Sequence, residues 1–564
     1  MKSNHSGQST LDQLDPGNST EMNNSNNTRN NVNDINDIND MNDMNDMNDM
    51  NDVNDVNDVK DMDNVNGGER MSCHEGTMNL AQEIVFILVV ICAQLFTQAG
   101  VGMGLAPTRI VAETFGQQDS PAVQSWYIAA YSLTVGTFIL IAGRLGDMFG
   151  HKLMFMGGFS WFALWSLLAG ISYYTGNGIF FCACRGLQGI GPAFAMPNGL
   201  AILGRTYKSG PRKNMAFAIF GACAPGGFVF GSVFASLCAE LGTWPWAYYA
   251  MCIACCVVVI LGYLVIPADS IAEPQHGHPR EKFDYLGAFT GVAGLVLFNV
   301  AWNQAPLVGW ANAQCIVLVI LGVTFCIAFV YVERAVDAPL VPVRNFNTNM
   351  ARVLACVAFG WGTFGIWIYY LWQIMEYLRH NSPLLAAAQF SPAAGMGATA
   401  AIVTGYLMSK LHPFRVLAIS LLAFLVASII TATAPVNQTF WAQTFVSILV
   451  ASWGMDMNFP AATLILSETV PRDQQGIAAS LVATVVNYSI SLSLGVAGTI
   501  IDHVSPGLDP HSYLTGVRSA LYFCIGLSAM GLLVALYGVL RDDILANYRK
   551  HRPDDEKFAA QNAV

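Results

Sequence analysis

Charge is scarce in this sequence. Of its 564 residues only 12% are Asp, Glu, Lys or Arg, against roughly 25% in a soluble globular domain. The 54% that are apolar gather into runs too long for alternating core and surface. Three or four water-soluble domains, which length alone would suggest, are therefore excluded, and lipid is the solvent for most of the chain. A basic face for nucleic acid is missing. Disulfide scaffolding is missing too, because nearly all of the 13 cysteines lie inside apolar runs and read as small hydrophobes. Cys252, Cys255 and Cys256 form a C-x-x-C-C run, but without histidine and inside an apolar segment they suit no metal. No G-x-x-x-x-G-K-[ST] loop occurs, which argues against ATP as the driving force. No histidine stands well inside an apolar run, which weakens any imidazole proton relay. Neither an enzyme's catalytic group, nor a cofactor, nor a metal is expected.

What acidity there is lies at one end. Residues 1–79 carry 16 acidic and 4 basic side chains, and the remainder carries 22 and 23. The first segment holds nine Asn-Asp-apolar triplets from Asn33 to Val59. A period of three fits neither helix nor strand, and an Asp in every triplet repels its neighbours, so 1–79 reads as a disordered acidic tail. The first apolar run begins near Leu80, too far in for a cleavable signal peptide.

From there fourteen apolar segments follow, each long enough to cross a hydrocarbon core of about 30 Å. They fall at 81–104, 125–143, 153–172, 178–203, 215–238, 246–266, 285–303, 314–332, 351–372, 384–408, 414–434, 440–467, 475–500 and 516–540. With a cytoplasmic N-terminus, the inner loops and C-terminal tail hold 19 of the body's 23 cations. Arg109, Arg379 and Arg518 lie outside and Arg185 lies within a span, so both termini are expected in the cytoplasm. A weak internal repeat relates 191–203 to 454–466 through Pro197 and Pro460. It puts two six-helix halves in register, 80–267 and 350–540, with an inserted two-helix segment at 268–349 and a cytoplasmic tail at 541–564. Half-repeats of this kind place a working cavity near the midplane, between the halves.

Three motifs add chemistry. The expected inner loop Gly143-Arg144-Leu-Gly-Asp147-Met-Phe-Gly150-His-Lys152 pairs turn-forming glycines with charges that can meet acids, helix ends or lipid phosphate. It resembles the G-x-L-x-D-x-x-G-x-K signature of the major facilitator superfamily. Arg185-Gly-Leu-Gln188-Gly-Ile-Gly191 resembles that family's R-x-x-Q-G-x-G motif. Gly221-Ala-Cys-Ala224-Pro225-Gly226-Gly227 resembles its antiporter motif, with Ala224 where glycine is usual; proline and glycines here suit a helix bend with close helix approach. The run Glu333-Arg-Ala-Val-Asp-Ala-Pro339 and the span count resemble the 14-span drug:proton antiporter branch. Residues 126–267, above all L-G-R-T-Y-K-S-G-P-R-K-N at 203–214, are similar to the fungal subgroup of aminotriazole-resistance and boron exporters and the low-affinity ammonium transporter. The resemblance implies an all-α integral membrane protein of the major-facilitator fold with 14 transmembrane helices, two six-helix bundles plus two inserted helices.

Two ionisable residues stand inside expected spans, where charge is costly enough to imply function. Asp456 is the leading candidate for proton or cation binding, the alternative being an acid satisfied by neighbouring amides or hydroxyls. Arg185 sits about 12 Å shallower in the repeat register, so no ion pair joins them; its alternative is a structural clamp on carbonyls. Arg185, Gln188 and Asp456 are expected to line or couple to the cavity. The branch's first span carries an Asp where this chain has Gln98, an amide that binds no proton at physiological pH. Gln94 and Gln98, four apart on one face, are the expected substrate ligands. Asn299 and Asn303 are read as packing residues, and Asn437 belongs to a sequon in an outer loop too short for glycosylation. The leading reading is a monomeric secondary transporter of the plasma membrane, with the vacuolar membrane the second choice. It exports a small molecule in exchange for protons, and 143–152 acts as its cytoplasmic latch. The rivals are an ammonium or small-solute facilitator, which Gln98 favours, and a non-transporting sensor.

Overall fold

Backbone inside a lipid-filled region has no water to bond with and must satisfy itself, which a helix does completely. The computed structural model describes residues 79–118, 120–207, 211–267, 283–336, 339–341, 343–470, 475–505 and 510–561, and its regular structure among them is helical. The Asn-Asp repeat lies outside the described residues, as does the H-x-H pattern of His276 and His278, whose residues read as a solvated inner loop rather than a metal site. The helices are α1 (Leu80–Leu105), α2 (Thr108–Thr114), α3 (Pro121–Phe149), α4 (His151–Thr175), α5 (Gly178–Thr206), α6 (Pro211–Leu241), α7 (Pro245–Val265), α8 (Tyr285–Val308) and α9 (Ala313–Ala335). They continue with α10 (Thr348–Gln373), α11 (Pro383–Phe390), α12 (Pro392–Lys410), α13 (Pro413–Thr433), α14 (Gln443–Thr469), α15 (Gln475–Val504) and α16 (Pro510–Gln561). A π-helical turn at Ile374–Leu378 extends α10.

Helix occupies each of the fourteen expected positions, and among the described residues 12 helices are long and apolar enough to cross a membrane. The other two positions have identifiable reasons. The span expected at 384–408 is broken at Ser391, because Pro392 has no N–H to continue α11 and instead opens α12. In α14 the apolar run is diluted by Gln443, Thr444, Ser447, Ser452, Asp456 and Asn458.

Two expectations are corrected. The turn expected from Gly143 is helix as far as Phe149, and α3 stops at Gly150, whose φ of 97° only glycine adopts readily. Gly146 is not a turn residue either: a Cβ there would stand 2.6 Å from His151 Nδ1 and overlap the Asn198 amide. Past residue 540 the chain stays helical, α16 running on to Gln561.

We call the end at which α1 begins the near face and the opposite end the far face. Helices α1–α7 share one buried core, in which Trp244, Tyr127, Tyr131 and Tyr248 are among the largest side chains. Helices α10–α16 carry another around Val353, Leu417, Leu421 and Met457. A third apolar cluster spans both groups towards the far face, bringing Leu105, Ile128 and Phe228 against Trp367, Trp372 and Phe390. There the two halves are also bonded, Tyr369 Oη donating to Pro121 O at 2.9 Å and Tyr377 Oη to Gln118 O at 3.3 Å. Leu384 N donates to Glu240 Oε1 at 2.6 Å. The hairpin α8–α9 packs through glycines, Gly322 against Phe298 N and Gly294 against Cys326 N. Its helix α8 lies on α3 and α15. The outward side of α9 shows Ile316, Val317, Ile320 and Ile327 to the surroundings, a patch suited to lipid rather than water.

Close approach of α1 and α6 sets the spacing of the first group. A Cβ at Gly231 would stand 2.5 Å from Ala99 Cα, and one at Gly227 would stand 3.0 Å from Leu95 Cα. Gly221 and Gly226 of the same motif meet nothing within 4 Å, so only part of the glycine set serves packing. Gly231→Val is expected to lower stability by roughly 1–3 kcal/mol or prevent folding, and Gly226→Ala to leave it unchanged; thermal unfolding of the purified proteins in detergent measures both.

Candidate functional site

Where the two halves part below the far-face seal, they enclose a cavity of about 630 Å³. It runs from Leu105, Tyr369 and Phe390 towards the far face to Phe217, Met408 and Ser467 towards the near face. Both groups of helices supply its wall: Gln94 and Gln98 from α1, Phe220 and Pro225 from α6, Trp361 and Phe364 from α10, Asp456 and Phe459 from α14, and Asn487 from α15. Aromatic rings dominate this lining. Among the described residues that line it, Asp456 carries the one formal charge.

The geometry around Asp456 follows from small residues on the helices it meets. A Cβ placed on Gly397 of α12 would stand 2.7 Å from Asp456 Oδ2 and 2.9 Å from Pro225 Cβ. One spot on the wall thus joins the acid of the C-terminal half to the proline of the N-terminal half. Larger side chains at residue 397 would drive them apart. Asp456 Oδ2 is buried and accepts no hydrogen bond, an unusual state for a carboxylate oxygen. A positively charged or protonated species that reached it would therefore gain an unshared acceptor.

Gln94 and Gln98 line the cavity as their four-residue spacing implies. Neither makes a side-chain hydrogen bond to the described residues, so both amides remain available to a cargo. Of the α6 motif, Gly221 and Pro225 reach the wall, whereas Gly226 and Gly227 do not line it.

Arg185 and Gln188, expected to line or couple to the cavity, do not line it, and the bonds of Arg185 are those of the alternative, a clamp on carbonyls. Arg185 is completely enclosed and every arm of its guanidinium is used. It donates from Nε to Tyr127 O at 3.0 Å, from Nη2 to Gly100 O at 2.7 Å, and from Nη1 to Gln188 Oε1. Its plane lies over the Tyr131 ring at 4.6 Å. Gln188 passes the chain on, donating to Ser166 Oγ at 2.7 Å. Arg185 thus joins α1, α3 and α5, and Gln188 adds α4. The sequence signal of an intramembrane arginine was sound, but its direction depended on packing.

The Gly143–Lys152 segment lies at the near face. Asp147 stands 3.3 Å from both Arg205 and His151, and His151 shares a 2.7 Å contact with Asn198. Lys152 donates to Ile266 O at 2.5 Å and Tyr263 O at 2.9 Å, closing the carbonyl end of α7. These contacts stay within the N-terminal half. Gly143 faces α15 across the seam, a Cβ there being 3.6 Å from Ser480 Oγ.

Other participants were not visible in sequence. Asn487 faces the cavity beside Gly136, whose added Cβ would be 2.9 Å from Asn487 Cβ; a lone Asn in an apolar run gives no hint of direction. Asn299 and Asn303 do more than pack. Asn299 Oδ1 accepts from Ser491 Oγ at 2.8 Å and from Asn303 Nδ2 at 2.9 Å. Ser491 also contacts Ala129 O at 3.2 Å, and Trp126 Nε1 donates to Asn303 O at 3.2 Å.

Since Arg185 bonds to α1, α3 and Gln188 while Asp456 Oδ2 bonds to nothing, their removal has different consequences. Arg185→Gln is expected to cost roughly 3 kcal/mol of stability, as for other broken buried charge networks. Asp456→Asn is expected to leave thermal stability unchanged or improved, because it removes a buried charge whose Oδ2 has no partner. Parallel unfolding curves test the contrast.

Comparison with known proteins agrees with this architecture. The chain matches the Major Facilitator Superfamily profile over residues 87–435 and 352–561. It is 53% identical to the low affinity ammonium transporter of Saccharomyces cerevisiae, over 82% of this chain and 89% of that one. It is 43% identical to the efflux pump terJ of Aspergillus terreus, over 86% and 92% of the two chains, and 37% identical to the aminotriazole resistance protein of Saccharomyces cerevisiae, over 80% and 83%. With a matching profile, relatives covered almost end to end and a bundle of apolar helices around a cavity, the chain belongs to the Major Facilitator Superfamily of multi-pass membrane transporters.

Proposed function

We propose that this protein carries a small molecule out of the cytoplasm in exchange for protons, with Asp456 as the group that alternately holds and releases the proton. The observation that carries this reading is the buried, unbonded Oδ2 of Asp456, set on the cavity wall against Pro225 of the opposite half. Proton occupancy there changes the charge of the lining from minus one to zero. It does so at the point where α6 lacks a backbone donor and is easiest to reshape. Gln94 and Gln98 supply polar ligands to the cargo, and the aromatic wall supplies apolar contact.

The excess of cations on the near-face loops supports a cytoplasmic near face. In that orientation the far-face bonds of Tyr369, Tyr377 and Leu384 close the route outward, and the state is inward-facing. Transport then requires the two halves to rock about the cavity, breaking those bonds. The plasma membrane is the proposed location, with the protein acting as a monomer.

A second reading has its own support. Gln98 stands where an antiporter of the resembled branch carries a proton-binding Asp, and a relative with 53% identity is named for low-affinity ammonium transport. A facilitator for ammonium or a similarly small solute would need no proton site.

The two readings part in proteoliposomes. Uptake and efflux of radiolabelled methylammonium and of boric acid are measured under imposed proton gradients, for wild type and Asp456→Asn. The antiporter reading expects flux driven by the gradient and lost at least tenfold in the variant. Flux indifferent to both gradient and substitution would overturn it in favour of the facilitator.

A further inference from the structure

Away from the cavity, two acids meet at the near-face end of the α8–α9 hairpin. Asp284 precedes α8, and its Oδ1 accepts from Gly287 N at 2.7 Å. Glu333 lies in the last turn of α9, and its Oε2 accepts from Val341 N at 3.0 Å. Each acid thereby uses one oxygen to fix a chain end. The other two oxygens, Asp284 Oδ2 and Glu333 Oε1, are buried without any hydrogen-bond partner. Asp284 is only 7% exposed and Glu333 is fully enclosed, so water does not answer either group freely.

Those two oxygens converge on the same small space. A Cβ on Gly287 would stand 2.9 Å from Glu333 Oε1 and 2.8 Å from Asp284 Cγ. Both carboxyl groups therefore border one side of Gly287, and a side chain at residue 287 would fill the gap between them. Among the described residues, Arg144 of α3 acts on Glu333 from a neighbouring element. Arg334 and Arg344 are exposed and face elsewhere, Arg344 donating to the Arg334 carbonyl. Two carboxylates side by side remain a like-charge pair, which a buried site does not tolerate.

We propose that Asp284 and Glu333 form a proton-binding site, in which one proton carried by Glu333 Oε1 and turned towards Asp284 Oδ2 reduces the charge of the pair from minus two to minus one. A single proton supplies both orphan oxygens with a partner and halves the negative charge of the pair. When the proton leaves, two carboxylates repel across Gly287, and the foot of the hairpin loosens where it meets the turn at Val341 and the Arg144 segment of α3. This site is separate from Asp456 and does not depend on the cargo.

Conservative substitutions make the test clean. Asp284→Asn and Glu333→Gln keep a carbonyl oxygen for Gly287 N and for Val341 N, so both helix ends stay capped while the shared proton is lost. The full-length protein in lipid nanodiscs is followed by infrared difference spectroscopy of the carboxyl stretch through a pH titration. Hydrogen exchange of peptides covering 284–290 and 333–341, corrected for the intrinsic pH dependence of exchange, is read in parallel. In wild type a protonated carboxyl signal is expected to disappear as pH rises, with exchange in both peptides quickening several-fold over the same range. In either single variant, and in the double variant, that signal and the pH dependence of exchange should both be absent. Wild-type exchange that is flat with pH, or an unchanged carboxyl signal in the variants, would overturn the proposal and leave two acids that act only as caps.

Discussion

A charge enclosed by a helical bundle has to be answered by something, and this protein answers its enclosed charges unequally. Arg185 is satisfied on every side, by carbonyls of α1 and α3, by Gln188 and by the face of Tyr131. It therefore behaves as a bolt through one half of the molecule, and a group so fully bonded has no free valence for cargo or proton. Asp456 is enclosed at Oδ2 but unanswered. A fold that tolerates an orphan acceptor beside its central cavity keeps a cost that only an arriving ligand relieves.

The same inequality explains how the halves relate. Within the N-terminal half, contacts are so short that glycine is required, as at Gly231 against Ala99 and Gly227 against Leu95. Rigid-body motion needs rigid bodies, and backbone-to-backbone packing provides one. Between the halves, the far-face seam depends on a few tyrosine hydroxyls, one N–H given to Glu240, and aromatic rings packed around Phe228 and Phe390. Such contacts are individually modest, about 1 kcal/mol for each neutral hydrogen bond, and can be exchanged for others when the molecule changes its facing state.

Much of this was legible in the residues. Apolar runs located the helices, because a length of about twenty apolar residues has few other uses. Gln94, Gln98, Pro225 and Asp456 were marked by polarity or by a missing donor in an apolar setting, and all four reach the cavity. Helix ends were less legible. Gly143 and Gly146 read as a turn, yet Gly146 is small because Asn198 and His151 crowd it. The break at Ser391 could be seen in Pro392 but was hidden by the apolar residues around it. Direction was the hardest quantity to read: Arg185 was marked correctly as unusual and placed wrongly, and Asn487 faces the cavity without any mark. Which side of a helix points inward is decided by tertiary packing, to which a single apolar run is blind.

The central claim is that one cavity is exposed to the two sides of the membrane in turn, by movement of one half against the other. The most direct measurement is the distance between spin labels at Tyr174 and Asn437, exposed positions near the far face in opposite halves, read by pulsed electron resonance in liposomes. A variant without exposed native cysteines would carry the labels. The account predicts two distance populations, a short one matching the sealed far face and a longer one, whose proportion changes with pH. A single population that is the same at every pH would contradict it.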